Sequence, residues 1–353
     1  MKKTSVKLLI SWLCFSATIF MGCDNPAYVG RLDITEHQSV WQHLKVYSIY
    51  QDRVPNDPFV YNTTQQLFNA IDDWEYTRYF DGNTNWGGQS ELFDASKAIT
   101  NTQNTVFLDT LTESTVSIEI SAFRSNTHEE FLGVVWKALP FDNIVIDLRG
   151  NQGGDLRITE SIIEEFLPPN TSYIKARYRE YDPQSLKGNT IPSDEGWEEW
   201  RTTRSVNSAL RDKNFSVLID SSTASASEIL AAALKDCLNA TLIGQRSYGK
   251  GIGQIIIPRR NRRYIRITFL KLRGISDRTG EYNGIGIYPD NILPAAKMTS
   301  ADRGGRNTDI YHAVKALEPS IQYEDITFPP ERGPKSSVNN GLFKVTSPDP
   351  LNW

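Results

Sequence analysis

The stretch Phe215–Leu234, "FSVLIDSSTASASEILAAAL", decides the fold, because it joins an apolar strand pattern to an apolar helix pattern. The first six residues are almost continuously apolar, as in a strand that is covered on both faces. Ser225 stands three positions before Glu228, which is the capping-box pattern at the start of a helix. The stretch therefore predicts a buried strand, a turn rich in hydroxyl groups, and a helix.

The rest of the chain repeats this alternation of strand and helix from Val116 onward. The β-type runs "VSIEISAF", "NIVIDL" and "ATLIG" alternate with amphipathic runs such as "THEEFLGVVWKAL" and "RITESIIEEFL". This order predicts an α/β core with largely parallel buried strands. A hairpin, "GQIIIPRRNRRYIRITFLKL", follows, and its basic run Arg259–Arg263 is interpreted as a solvent-exposed tip. The predicted organisation is an N-terminal helical region over 34–85, a polar linker read as loops over 86–115, the core over 116–318 and a C-terminal tail over 319–353.

Composition excludes several classes of function. The chain has 353 residues, of which 39% are apolar and 23% are charged, as in a soluble globular protein. The formal net charge of −4 gives no general attraction to nucleic acid. No CxxC, HExxH or clustered histidine is present, so we predict neither a metal site nor a cofactor. Cys237, in an apolar helix pattern, is interpreted as a core residue.

The N-terminus predicts export. Three lysines precede an apolar run over 8–21, which is the length of a signal-peptide core and too short for a membrane-spanning helix. Gly22 and Cys23 then resemble a bacterial lipobox, although Phe20 stands where that motif usually has leucine. We therefore expect a signal peptide over 1–22, lipidation of Cys23, a tether over 23–33, and a membrane-anchored location in a bacterial cell envelope. Ordinary secretion after cleavage nearby is the alternative.

Ser225 has two interpretations. It could cap a helix, which needs no further residues. It could instead be a nucleophile, because a helix N-terminus after a buried strand offers free N–H groups to an oxyanion. No histidine is near in sequence, so the candidate base is Lys250 in "YGKG", where burial would favour the neutral amine. A second loop, "RGNQGGD", leaves the strand "NIVIDL" and has glycines that allow a close backbone approach.

Four segments together resemble the S41 peptidases, the family of C-terminal processing (tail-specific) proteases. They are "VIDLRGNQGG", "STASASEILAAAL", "LIGQRSYGKGIGQ" and "GIGIYPD", in the order of that family. The resemblance implies a fold like that of ClpP and crotonase. It also implies that Ser225 is the nucleophile, Lys250 the base and Gln254 the residue that orients the lysine amine. Ala226 and the pair Gly153 and Gly154 would then offer the amides of the oxyanion hole.

The sequence departs from the family in one respect. Many S41 enzymes carry a PDZ domain before the core, and the stretch 80–115 is too short to fold as one. A preference for C-terminal tails is therefore left open, while a protein or peptide of the envelope remains the expected substrate. The alternatives are an inactive S41-like module that binds a hydrophobic ligand or peptide, and an acyl-CoA enzyme of the crotonase type, which would need no such triad. The oligomeric state is not predicted.

Overall fold

A computed structural model describes residues 32–73, 76–80, 104–178, 196–204, 210–260, 263–293, 306–330 and 332. The expected signal peptide and Cys23 lie outside the described residues. Among the helices of the described part, none is both long enough and apolar enough to cross a membrane.

The described residues form six α-helices and eleven strands. The helices are α1 (Leu32–Tyr47), α2 (Thr64–Asn69), α3 (Thr127–Ala138), α4 (Leu156–Ile163), α5 (Ala226–Leu238) and α6 (Arg306–Leu317). The strands are β1 (Arg78–Phe80), β2 (Val106–Thr110), β3 (Thr115–Ile120), β4 (Asn143–Asp147), β5 (Ser172–Tyr178), β6 (Glu198–Arg201), β7 (Asn214–Ile219), β8 (Thr241–Gly244), β9 (Ile252–Pro258), β10 (Tyr264–Arg273) and β11 (Asn291–Ile292).

The first sheet confirms the predicted parallel core. Its strand order is β11-β8-β7-β4-β3-β2, and every pair is parallel except β2 with β3. Alternate side chains of β4 face opposite layers: Ile144 and Ile146 join a cluster with α3, α4 and α5, whereas Val145 joins a cluster with α6. Burial on both faces explains why the strand sequences are continuously apolar.

The second sheet was not predicted beyond its hairpin. It is antiparallel, with strand order β1-β10-β5-β6, and β9 pairs with β10. The isoleucines of β9 and β10 pack against α1 and α2 in a separate cluster that includes Val40, Leu44 and Ile265. The N-terminal helical region therefore packs against the β9–β10 hairpin, which begins just after Lys250 of the predicted site.

Two local predictions, those for residues 106–110 and for Arg259, are wrong. Residues 106–110, predicted as loop, form the edge strand β2, whose pairing with β3 adds a strand before the predicted start of the core. The predicted tail is packed over part of its length, because Ile326 is buried and Arg332 bonds the carboxylate of Glu119. Arg259, at the hairpin tip, does not simply face water, since it donates to Glu36 at 3.0 Å and to Ser39 at 2.6 Å on α1.

Candidate active site

Ser225 lies at the first turn of α5, directly before the helix begins. Its backbone has φ 58° and ψ −119°, a conformation that is uncommon for a residue with a side chain. An ordinary N-cap residue has an extended backbone, and strained conformations of this kind persist chiefly where function requires them. The Ala226 N–H is among the helix N–H groups without an intrahelical acceptor. An ordinary cap does not account for this backbone conformation, although the Ser225 N–H donates to Glu228 as in a capping box.

The turn before Ser225 is bonded to the loop that follows β4. The carboxylate of Asp220 accepts hydrogen bonds from the backbone N–H of Gly150 and of Thr223, at 3.0 Å each. The Thr223 hydroxyl donates to the carbonyl of Leu148 at 3.0 Å. Since β4 and β7 are neighbouring parallel strands, their carboxyl ends bring these two loops together at one edge of the sheet.

Gly153 touches the Ser225 turn directly. A Cβ at Gly153 would lie 3.0 Å from the Cβ of Ser225 and 3.1 Å from the backbone nitrogen of Ala226, and the residue has φ +102°. The Gly153 N–H donates to the side-chain oxygen of Asn151 at 2.9 Å. Gly154 instead lies against the backbone of Phe123. At both positions the neighbouring backbone leaves no room for a side chain. The Gly153 N–H already donates a hydrogen bond, to Asn151.

Asn151 is a site residue that the sequence reasoning missed. It is fully buried, and its amide also donates to the carbonyl of Ile120 at 2.9 Å. Its own carbonyl accepts from the N–H of Ala224 at 3.1 Å and from the hydroxyl of Ser227 at 2.9 Å. Asn151 thus bonds the glycine loop to the Ser225 turn, and only its position at a strand end hinted at this.

Lys250 and Gln254 lie at the start of the β9–β10 hairpin of the second sheet. Lys250 precedes β9, Gln254 is within it, and both side chains are 1% exposed. The Lys250 amine is 5.7 Å from the centre of the Tyr76 ring. The Nε2 atom of Gln254 is buried without a hydrogen-bond partner among the described residues. The burial of both side chains places them inside the protein at the start of the hairpin.

Glu228 connects Ser225 to the lysine loop, and sequence reasoning assigned it only a capping role. Its Oε2 accepts from the N–H of Ser225 at 2.8 Å and from the N–H of Lys250 at 2.7 Å. Its Oε1 accepts from the Ser247 hydroxyl at 2.5 Å and from the N–H of Gly249 at 2.7 Å. Burial raises the pKa of Glu228, and these four hydrogen bonds oppose that effect. In the sequence, the sign of this role was that Glu228 is an acidic residue directly before a run of apolar helix residues.

Charged residues brace the same edge of the sheet. Arg149 forms an ion pair with Asp147, at 2.8 Å, and a second pair with Asp309 of α6, at 2.7 Å. Burial acts to lower the pKa of Arg149, but the charges of Asp147 and Asp309 raise it by more. The net pKa lies above the ordinary value, so the guanidinium stays charged.

The thiol of Cys237 is partly buried, and burial raises its pKa to about 12, with Asp236 adding to the shift. A thiol of that pKa is a poor nucleophile, consistent with its predicted structural role.

Comparison with known proteins shows the family. The family model Peptidase family S41 matches residues 114–293, just over half of the chain. The carboxyl-terminal-processing protease of Synechocystis sp. is 28% identical over 187 residues, which are 52% of this chain and 39% of that relative. The carboxy-terminal processing protease CtpB of Bacillus subtilis is 31% identical over 156 residues, 44% of this chain and 29% of that relative. The chain thus spans well under half the length of these relatives.

A solved structure shows the same fold. The photosystem II D1 C-terminal processing protease superposes with a TM-score of 0.56 at 17% identity. The match covers 80% of this chain and 98% of that chain. The likeness therefore extends beyond the region that the family model matches.

Proposed function

The chain belongs to peptidase family S41, and from this premise we propose that it is a serine endopeptidase with the triad Ser225, Lys250 and Gln254. Its substrates would be proteins or peptides of the cell envelope. The reaction would hydrolyse a peptide bond through an acyl-enzyme on Ser225.

One observation carries the proposal: the same carboxylate oxygen of Glu228 accepts from the backbone N–H of both Ser225 and Lys250. Two residues that bond one oxygen atom have adjacent backbones. The serine and the lysine therefore have backbones at one buried place, although Ser225 follows a strand of the first sheet and Lys250 precedes a strand of the second. A capping serine has no need of a buried lysine beside it.

The proposed chemistry follows from these positions. The Ser225 oxygen attacks the carbonyl carbon of the peptide while the neutral Lys250 amine accepts the hydroxyl proton. The resulting ammonium then gives this proton to the nitrogen of the leaving amine. Water attacks the acyl-enzyme in the reverse sequence, again with Lys250 as the base, and regenerates the serine hydroxyl.

The oxyanion is assigned to the amides of Ala226 and Gly154. The Gly153 N–H already donates to Asn151 at 2.9 Å, whereas the Gly154 N–H makes no backbone hydrogen bond within the described residues. Ala226 supplies the free N–H at the start of α5, where the helix dipole also favours negative charge. Gly153 contributes its lack of a side chain, which lets the loop lie against Ser225.

The first test is cleavage of an unfolded protein substrate by chain that begins after residue 23. Ser225→Ala and Lys250→Met should each lower kcat/KM by at least about 10³-fold. Ser221→Ala is the matched control, because Ser221 is an exposed hydroxyl in the same turn, and its activity should equal that of the parent. Parent-like cleavage by both site variants would show that the mechanism is wrong.

We also propose that Cys23 carries a lipid anchor. The supporting pattern is the signal-type N-terminus that ends at this cysteine. The test is expression in a bacterium supplied with an alkyne fatty acid, followed by mass spectrometry of the mature N-terminus. Acylation of the parent and its absence from Cys23→Ser would support the anchor, and a mature N-terminus elsewhere would contradict it.

A further inference from the structure

Residues 73 and 76–77, between α2 and β1, are fastened to β10 next to the site. The Asp73 carboxylate accepts hydrogen bonds from the hydroxyls of Thr77, at 2.5 Å, and Thr268, at 2.6 Å. The carbonyl of Tyr76 accepts from Arg266 at 2.8 Å. Strand β1 continues this attachment by pairing with β10. The position of Tyr76 is thus fixed from both sides.

This segment covers the face of the hairpin that carries Gln254. Gln254 lies directly opposite Thr268 in the antiparallel pair of β9 and β10. Side chains of directly opposed residues lie on the same face of a sheet. Because Thr268 bonds Asp73 and Thr77, the N-terminal segment lies on the face where Gln254 is buried.

The Tyr76 ring lies against the proposed base. We propose that Tyr76 is a positioning residue that stabilises the protonated amine of Lys250, so that the N-terminal helical region completes the active site. The ring centre is 5.7 Å from the amine nitrogen, which is within the range of a cation–π interaction. This inference rests on the proposed role of Lys250 as the base.

The Tyr76 ring stabilises only the protonated form of the Lys250 amine. Burial of Lys250, which is 1% exposed, favours the neutral amine that starts the reaction. The ring attracts the ammonium form, which exists only after the serine proton has moved. Tyr76 would therefore raise the pKa of the amine against the effect of burial and stabilise the charged intermediate.

Other ionisable groups surround this position and are kept constant in the test. Glu228 bonds the Lys250 backbone from α5, and the Tyr282 ring packs on Gly251 from the loop before β11. Asp73 is bonded to Thr268 of β10, Arg266 of β10 donates to the Tyr76 carbonyl, and Arg53 lies near Asp73. Each is left unchanged by a substitution of the Tyr76 ring.

The test compares Tyr76→Leu with Tyr76→Phe in the full chain. Loss of the ring should move the acidic limb of the pH profile of kcat/KM to lower pH by about one unit and lower the plateau rate at high pH. Tyr76→Phe keeps the ring face and should retain the parent limb. Tyr79→Leu removes a tyrosine ring from the adjoining strand β1, where the ring packs on Phe68. This control should leave the acidic limb of the pH profile at the parent position.

A second readout separates this inference from the proposed function. The ε-carbon resonance of Lys250, assigned by its loss in Lys250→Met, gives the pKa of the amine by NMR without any cleavage. A lower pKa in Tyr76→Leu and a parent pKa in Tyr76→Phe support the inference even in a protein that cleaves nothing. An equal pKa in parent and Tyr76→Leu, or the same shift in Tyr79→Leu, would overturn it even in an active protease.

Discussion

Glu228 accepts four hydrogen bonds, three of them from backbone N–H groups, at the point where α5 meets the lysine loop. Backbone N–H groups can only donate, so the two oxygens serve best as an ionised carboxylate, even though burial raises the pKa of this residue. The group therefore aligns two chain segments that carry proposed catalytic side chains. Its role is structural support for these two segments.

Gly153→Ala tests how closely the glycine loop must approach the nucleophile. The added Cβ would lie 2.8 Å from the carbonyl oxygen of Ala224, and φ is +102°, so the loop must shift. We expect kcat/KM to fall by about 10²-fold or more, because small displacements of catalytic groups have effects of that size. Steady-state kinetics and urea unfolding measure the two consequences separately.

The matched control for that substitution is Gly133→Ala. Gly133 lies within α3, where a Cβ would meet nothing within 4 Å. It should raise the free energy of unfolding by up to about 1 kcal/mol and leave kcat/KM unchanged. Unchanged kinetics in Gly153→Ala would mean that the loop does not limit access to Ser225.

At the scale of single residues, the sequence predicted positions better than partners. The spacing of Ser225, Lys250 and Gln254 came from motifs, and their catalytic roles stay predictions. Glu228 was visible only as a cap, because three of its four donors come from a loop 19 to 22 positions later in the chain. Local patterns do not reveal which distant backbone a buried carboxylate accepts from.

At the scale of elements, the N-terminal segment depends on a buried carboxyl group. Burial raises the pKa of Asp73 above its ordinary value of 3.8, and the hydroxyls of Thr268 and Thr77, together with two arginines, oppose the shift. A raised pKa in the folded state means that the stabilising contribution is full below the ordinary pKa and is lost as the pH rises through the raised one.

Asp73→Asn should therefore show a pH-dependent effect. An asparagine oxygen can still accept from both hydroxyls, but it is never charged. As the pH rises above about 4, the parent should lose free energy of unfolding relative to Asp73→Asn, by up to about 1.4 kcal/mol per pH unit until the folded-state pKa is passed. Urea unfolding at pH 4, 5.5 and 7.5 measures this difference.

The control for Asp73→Asn is Asp72→Asn, which removes an exposed carboxylate from the same turn. The difference between parent and Asp72→Asn should stay nearly constant with pH. A constant difference for Asp73→Asn as well would contradict the assigned effect of burial.

The elements themselves were predicted where the pattern is long or the strand is buried on both faces. The parallel strands β4, β7 and β8 and the helices between them follow from their apolar runs. β5, β6 and β2 were missed. Edge strands such as β2 are half exposed and polar on one side, and β5 and β6 gain their stability from pairing partners far away in sequence.

At the scale of the molecule, the N-terminal region and the hairpin share one apolar core. Val40 and Leu44 of α1 pack with Ile255 and Ile267, which lie more than two hundred residues later. The sequence showed both amphipathic patterns but could not show that they face each other. The consequence is that an element outside the matched family region supports the strand that carries Gln254.

Leu44→Ala tests this coupling between the shared core and the site. Leu44 is fully buried, so the substitution should lower the free energy of unfolding by about 2–5 kcal/mol. Since the cavity lies beneath β9 and β10, the hairpin should shift, and kcat/KM in the absence of denaturant should fall about tenfold or more. Urea unfolding and steady-state kinetics on the same preparation measure both effects.

Ile310→Ala is the matched control, because it removes a buried aliphatic side chain of α6 from a different cluster. That cluster lies on the first sheet, away from the β9–β10 hairpin. Its loss of stability should fall in the same range, about 2–5 kcal/mol, while kcat/KM should stay within about twofold of the parent. Two substitutions of similar cost then differ only in whether the disturbed core lies under the hairpin. If kcat/KM fell equally in both variants, activity would follow global stability, and the shared core would have no specific part in holding the site.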